Sequence, residues 1–342
     1  MVKDLMMKIL FCGETFLSAP DLLRKLLPQH DVRSCTVEKL PELARYSDVL
    51  VPLMARVDRS MMVESAVKLI QQWGVGLEGV DIEAANEFGI PVCNIPGDTT
   101  PNAESTAEHA IFLMMGVSRK IHECRKSLQE GIVGRPMGET LFGKTGLIVG
   151  FGKIGRALTK RMRSLGMEVD VIRRTPDKRL ESEMCLRKVG DTSDLLEMAQ
   201  EVDFVISTVV LNSGTYNLFD MRLFNSMRDT AFVINVSRGP VVHENDLVKA
   251  LNEDVIAGAG LDVFTTEPVD PSHPLLSMEN VFATPHIGGV TRQNYEAIGQ
   301  KVQENILILS RGEIPNHCIN LESLQEKQGN AGQPVTQSFW RF

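Results

Sequence analysis

The sequence predicts an α/β protein with parallel sheets, and three observations carry that reading. Short runs of apolar and β-branched residues alternate with helically spaced patterns along most of the chain. One glycine-rich turn joins such a run directly to an amphipathic helix. At 342 residues the chain exceeds one ordinary hydrophobic core and suits two domains.

In the first region, Lys8–Cys12, Val32–Val37, Asp48–Leu53 and Pro91–Asn94 read as strands, with helical stretches such as Ser60–Gln72 between them. Pro96, Gly97 and Pro101 then punctuate the chain as a hinge would. One long helix is expected over about residues 102–130, where Ala107, Ala110, Ile111 and Met114 recur at helical spacing. A second strand–helix series contains Leu147–Val149, Met167–Ile172, Asp203–Thr208, Ala231–Asn235 and Ala257–Leu261. The segment Thr284–Gly289 breaks that series, and a last helix covers about Thr291–Arg311. From Glu322 the chain is polar and rich in Gln and Gly, so residues 322–342 are expected to be a disordered tail.

Acidic side chains outnumber Lys and Arg by 44 to 36, a net charge of −8. That balance argues against nucleic acid or an anionic membrane as a partner, yet a few local cations can still draw a small anion into a cleft. No apolar run reaches the roughly 18 residues of a membrane span. Lys8–Cys12 follows Asp4 and has no small-residue cleavage site after it, so a strand is expected there and not a signal peptide. The six cysteines form no C-x-x-C pair. Buried thiols in a reducing compartment, and hence a cytoplasmic location, are expected. No His, Cys or Asp cluster has metal-ligand spacing, and no metal is expected.

The strand ending at Val149 runs into Gly150-Phe-Gly152-Lys153-Ile154-Gly155, a G-x-G-x-x-G turn between a strand and a helix. Gly150 permits the tight turn, Gly152 lets backbone approach a pyrophosphate, and Gly155 lets the helix pack close to the strand. Amides at the helix start then face phosphates. The next strand ends at Ile172 and is followed by Arg173-Arg174-Thr175. A site for NAD places a carboxylate there, about 20 residues past the glycines, to accept from the ribose 2′-OH. A guanidinium can instead fork onto a 2′-phosphate, so NADP is favoured over NAD. Asp170 lies nearby, but mid-strand. The competing reading leaves Arg173 and Arg174 as solvated loop charges.

Four segments resemble the D-isomer-specific 2-hydroxyacid dehydrogenase family, in family order. They are Gly74–Asp81 continuing to Gly97, Glu104–His109 leading to the glycine turn, Asn235–Glu244, and Gly260–Pro268 followed by Thr284–Gly289. The resemblance covers about residues 45–320. It implies two Rossmann-like domains, with a substrate domain discontinuous in sequence. The hinges then assign 1–101 with 287–321 to substrate and 102–286 to the nucleotide. It also implies a homodimer, and a cleft where the reacting groups meet the glycine turn.

The resemblance places the chemistry on Arg238, Glu267 and His286. Elementary chemistry agrees. Reducing a keto acid needs a proton donor at the carbonyl oxygen, a task suited to His286. A carboxylate on the other ring nitrogen fixes the tautomer and favours the protonated ring, the role of Glu267. Arg238 can bind a carboxylate and polarise the carbonyl. Singly, each also reads as an ordinary loop residue. His109, His122 and His243 fit nothing catalytic and read as structural.

The resemblance further implies that the Val75 and Gly76 amides hold the substrate carboxylate, as a turn nest can. Leu53 and Met54 would lie near the substrate's tail, Asp262 would accept from the nicotinamide amide, and Val209, Val236 and Gly288 would line the cofactor. Three departures from the pattern stand out: Thr208-Val209-Val210-Leu211 replaces a His-x-Pro-Leu, Gln72 stands where Arg is common, and Glu78 where Asp is common. The nearest type is a hydroxypyruvate/glyoxylate reductase. The alternatives are a phosphoglycerate-type dehydrogenase and a dinucleotide-sensing binding protein of the corepressor type.

Overall fold

Parallel strands form wherever apolar runs alternate with helices, and they assemble into two separate sheets. The computed structural model describes residues 5–330. The chain divides into two units, one from the residues up to Pro101 together with those from Arg292 on, the other Asn102–Thr291.

In the first unit, β1 (Lys8–Phe11), β2 (Asp31–Ser34), β3 (Val49–Val51), β4 (Leu69–Gln71) and β5 (Val92–Cys93) pair in the order β2-β1-β3-β4-β5. All neighbours are parallel. Buried Leu10, Leu50, Ile70 and Val92 place these strands in one core. The expected helix Ser60–Gln72 is corrected by the structure. Only Arg59–Met62 is helical there, capped by the Asp58 side chain, and Leu69–Gln71 is an interior strand. A short, continuously buried run carries no periodicity that separates strand from helix.

The second unit contains β6 (Thr145–Val149), β7 (Glu168–Ile172), β8 (Lys188–Gly190), β9 (Phe204–Ser207), β10 (Phe232–Asn235), β11 (Gly258–Leu261) and β12 (Val281–Ala283). Their order is β12-β11-β10-β9-β6-β7-β8. Side chains alternate between faces, as strand geometry requires. Leu147, Val149, Val205 and Val233 enter one core, while Ile148, Phe204, Ile206 and Ile234 enter the other. The strand order reverses between β6 and β9, and open parallel sheets bind ligands beyond the carboxyl ends at such a point. Sequence reading overlooked β8 and β12, which are three residues each.

The single helix expected over 102–130 is two, Asn102–Ser118 and Ile121–Gln129. Lys120 breaks it in a left-handed conformation (φ 52°). Small residues bring the first of these helices close to the sheet. A Cβ on Gly116 would meet the Phe282 ring, and one on Gly260 would meet Leu113.

The expected disordered tail is also corrected, because Leu321–Asn330 is helical. Leu324 is buried. Asn320 accepts from Val92 N and donates to Ile90 O, and Lys327 donates to Glu87 O. One apolar anchor in a polar segment was too weak a signal to read. The rest of that expectation falls on 331–342, outside the described residues. No helix among the described residues is long and apolar enough to cross a membrane.

Within the first unit, helix Arg292–Ser310 is tied to the sheet by Asn305, which is 1% exposed. Its amide nitrogen donates to Gln71 Oε1 at 2.7 Å and to Asn316 O at 3.1 Å, and its oxygen accepts from Asn316 N at 2.9 Å. Asn305→Ala strands these buried partners and is expected to lower unfolding free energy by about 2–4 kcal/mol. Urea denaturation checks it; an unchanged midpoint contradicts the anchor.

Candidate active site

Helix Lys153–Ser164 begins directly after β6, and its first turn is shaped by the three glycines. Gly150 has φ +97°, and a Cβ there would lie 2.9 Å from the Thr208 backbone. A Cβ on Gly155 would lie 2.5 Å from Gly150 O. Gly152 differs: nothing lies within 4 Å of its Cβ position, and no side chain caps the helix. The turn is therefore tight on the protein side and open on the other. An anionic group fits such a cradle, where backbone N–H groups and the helix dipole favour negative charge. Lys153 and Ile154 open the helix, Val209 packs on Gly150, and the Thr208 hydroxyl donates to Gly150 O at 2.6 Å.

Arg173 follows β7 and is half-buried, with Arg174 and Thr175 exposed beside it. In sequence, Arg173, Arg174, Lys178 and Arg179 flank one acid, Asp177. The Arg179 guanidinium grips Asp177 with two hydrogen bonds, and these hold its carboxyl down at about 2. Asp170 is fully buried and bound by Arg187 through Nε at 2.9 Å, so it is not a free acceptor at the strand tip.

Three side chains sit beyond β10, β11 and β12. Arg238 follows β10, and its Nη1 donates to Ser237 O at 2.8 Å. Gly239 lets the next turn press on the chain after β11, since a Cβ there would lie 1.9 Å from the Phe264 carbonyl carbon. That neighbouring loop carries Glu267, whose Oε1 accepts from Phe264 N at 2.9 Å. Its Oε2 lies 2.7 Å from His286 Nδ1. His286 sits in the left-handed region (φ 54°), and its N–H donates to Asp262 O at 2.8 Å. The carboxylate thus holds Nδ1 and leaves Nε2 as the ring's other proton-exchanging nitrogen.

Asp262 has a larger part than sequence assigned to it. Oδ1 accepts from Thr284 Oγ1 at 2.7 Å and Ile287 N at 2.8 Å, and Oδ2 accepts from Gly288 N at 2.8 Å. His109 Nε2 lies 3.2 Å from Oδ1. Three of these four protein groups crowd Oδ1, and Gly288 N alone meets Oδ2. Besides the acceptor role expected of it toward a nicotinamide amide, it gathers the segment that carries His286. Burial pushes its carboxyl up, but the bonds from His109 and Thr284 outweigh burial and hold it below the ordinary range. Val236 is buried just past β10, and Gly288 approaches Asp262 closely.

In the first unit, Gln72 joins two predicted segments. Its amide donates to Leu53 O at 3.0 Å and to Gly76 O at 2.6 Å. Asn94 donates to Val75 O at 2.9 Å. Carbonyls of this turn are thereby pinned, and among the described residues no partner accepts from the Val75 or Gly76 N–H. Leu53 takes a left-handed conformation (φ 54°), and Met54 is exposed beside it. Nothing in the spacing of Gln72 or Asn94 marked them as supports; only the fold brings them here.

The family model "D-isomer specific 2-hydroxyacid dehydrogenase, NAD binding domain" matches residues 111–288. The glyoxylate reductase of Korarchaeum cryptofilum is 36% identical over 82% of this chain and 85% of its own. The chain belongs to the D-isomer-specific 2-hydroxyacid dehydrogenase family. A second glyoxylate reductase, from Thermococcus litoralis, is 36% identical over 87% of this chain and 89% of its own. The NADPH-dependent glyoxylate/hydroxypyruvate reductase of Sinorhizobium meliloti, solved in complex with NADP and malonate, superposes with a TM-score of 0.76. It is 28% identical and covers 91% of this chain and 96% of its own. As a D-2-hydroxyacid dehydrogenase, this chain is an oxidoreductase that acts on the CH–OH group of its donor and performs NAD(P)-dependent reduction of a 2-keto acid.

Because the Asp262 carboxyl is held below its ordinary range, folding binds fewer protons there than unfolding does. Its stabilising contribution is present at neutral pH and is lost as pH falls through the folded value. Asp262→Asn is therefore expected to lower Tm near pH 7, with a gap from wild type that narrows below about pH 4. Thermal melts across pH check it; a gap independent of pH contradicts a charged Asp262.

Proposed function

We propose that this dehydrogenase reduces glyoxylate or hydroxypyruvate with NADPH, using Arg238, Glu267 and His286. The single observation that carries the reading is the 2.7 Å contact between His286 Nδ1 and Glu267 Oε2, at the carboxyl edge of the sheet that bears the glycine turn. When bound, the reduced nicotinamide supplies a hydride to the carbonyl carbon. His286 gives its Nε2 proton to the carbonyl oxygen, and Glu267 stabilises the ring's positive charge before that transfer. Arg238 draws the substrate's carboxylate and polarises the carbonyl. The Val75 and Gly76 amides bind that carboxylate as a nest, and Leu53 and Met54 select the substrate's tail.

Gly150, Gly152, Lys153, Ile154 and Gly155 hold the pyrophosphate, with Val209, Val236 and Gly288 beside the nucleotide. Arg173, Arg174 and Thr175 take the 2′-phosphate, supported by the excess of cations over Asp177 alone in this loop. Glu267→Gln keeps a hydrogen bond to His286 but removes its charge, and is expected to lower kcat/KM for reduction by about 10- to 100-fold. Steady-state assay at neutral pH checks it; an unaltered kcat/KM removes Glu267 from the reaction.

The cofactor assignment has its own test. One charge-assisted hydrogen bond from Arg173 to a 2′-phosphate contributes roughly 1.5–3 kcal/mol, about a tenfold to hundredfold preference for NADPH over NADH. Arg173→Asp is expected to reverse it. The readout is kcat/KM for both cofactors with one accepted keto acid; a wild type that prefers NADH overturns the assignment.

The homodimer is likewise a proposal. Leu128, Val133, Met137 and Phe142 are 74–96% exposed, and Phe112 and Met115 are exposed on the preceding helix. Such apolar exposure within one stretch suits a second copy of the chain. Sedimentation at micromolar concentration is expected to give twice the chain mass; monomer alone rejects the dimer.

A further inference from the structure

We infer that His109 is a positioning residue for His286, acting through Thr284 and Asp262 to hold the segment 284–288. The inference rests on the proposed role of His286 and extends it to a residue on another element. The sequence alone gives His109 only a structural reading.

His109 projects from helix Asn102–Ser118, and its side chain is 10% exposed. Its Nε2 lies 2.8 Å from Thr284 Oγ1 and 3.2 Å from Asp262 Oδ1. The direction of these bonds follows from proton counting. The Thr284 hydroxyl has one proton, and the 2.7 Å contact commits it to the Asp262 carboxylate. Thr284 Oγ1 can then only accept from His109, so Nε2 carries a proton. One N–H is shared between the hydroxyl and the carboxylate.

This arrangement loads Asp262 from both sides. From the helix it receives the His109 N–H; from the segment itself it receives Thr284 O–H, Ile287 N–H and Gly288 N–H. His286 lies between these contacts, in a left-handed conformation that is uncommon for a residue with a side chain. The space is closed as well. A Cβ on Gly288 would lie 2.9 Å from Asp262 Oδ2 and 3.6 Å from His109 Cδ2. The Phe112 ring, 5.6 Å away, backs the imidazole. Close approach at Gly116 and Gly260 brings the helix near enough for His109 to reach. His109 touches none of the proposed reacting groups, so it acts only through placement. Misplacement by a fraction of an ångström is costly in a proton-transfer site.

The test uses the full chain with three substitutions. His109→Phe keeps a ring against Phe112 and removes the donor. His109→Gln can place an amide N–H near the Nε2 position, whereas the shorter His109→Asn cannot. With a 2-keto acid and NADPH, the Phe and Asn variants are expected to lose kcat on the order of tenfold to a hundredfold with KM nearly unchanged, and Gln to recover most of it. The amide resonances of Ile287 and Gly288 should move in the Phe and Asn variants and return in Gln. If Phe or Asn lowers Tm yet leaves kcat and both amides in place, or if Gln and Asn behave alike, the inference is overturned. Should the wild type reduce no keto acid, the reading of function fails, while the two amide resonances still decide the positioning role.

Discussion

A buried carboxylate that gathers four protein groups governs the geometry at the edge of the larger sheet. Asp262 stands at the end of β11 and collects donors from the segment after β12 and from helix Asn102–Ser118. Leaving such a group unpaired in a dry interior is costly, so each donor is drawn to it. The result is a short segment with little freedom, carrying His286 in a left-handed conformation. Glu267 then needs to satisfy only one remaining variable, the orientation of the ring.

The same economy of support recurs in the first unit. Gln72 and Asn94 point their amides at the carbonyls of Leu53, Val75 and Gly76. Holding the carbonyls back turns the amide side of the turn toward any anion that arrives. In both units the groups proposed to touch ligand lie at carboxyl ends of parallel strands. Polar side chains in the layer behind set their direction. The glycine turn after β6 works differently, through space: closed around Gly150 and Gly155, open at Gly152.

The fold class and the family were legible in the chain because both depend on local order. Alternating apolar runs and helical patterns make parallel sheets, and most strands lie within a few residues of where their runs predict them. The glycine turn is contiguous in sequence, so its strand–turn–helix context could be read directly. Arg238, Glu267 and His286 were found by motifs that span short stretches. Reading failed where local pattern carries no signal. Leu69–Gln71 is buried on both faces and shows no period, and the helix after Leu321 hangs on Leu324 and a few polar ties.

What the sequence determined by itself was therefore the alternation, the glycine turn, the run of cations after β7 and the identities of the three candidate reacting residues. Only tertiary structure decided how those residues are held. His109 and Thr284 are 175 residues apart, and no spacing rule connects them. Asp170 and Arg173 are three residues apart, yet one is buried against Arg187 and the other stands at the strand tip. Hydrogen bonds and burial are properties of neighbours in space. Which donor meets which acceptor becomes fixed only once the sheet has brought the strand ends together.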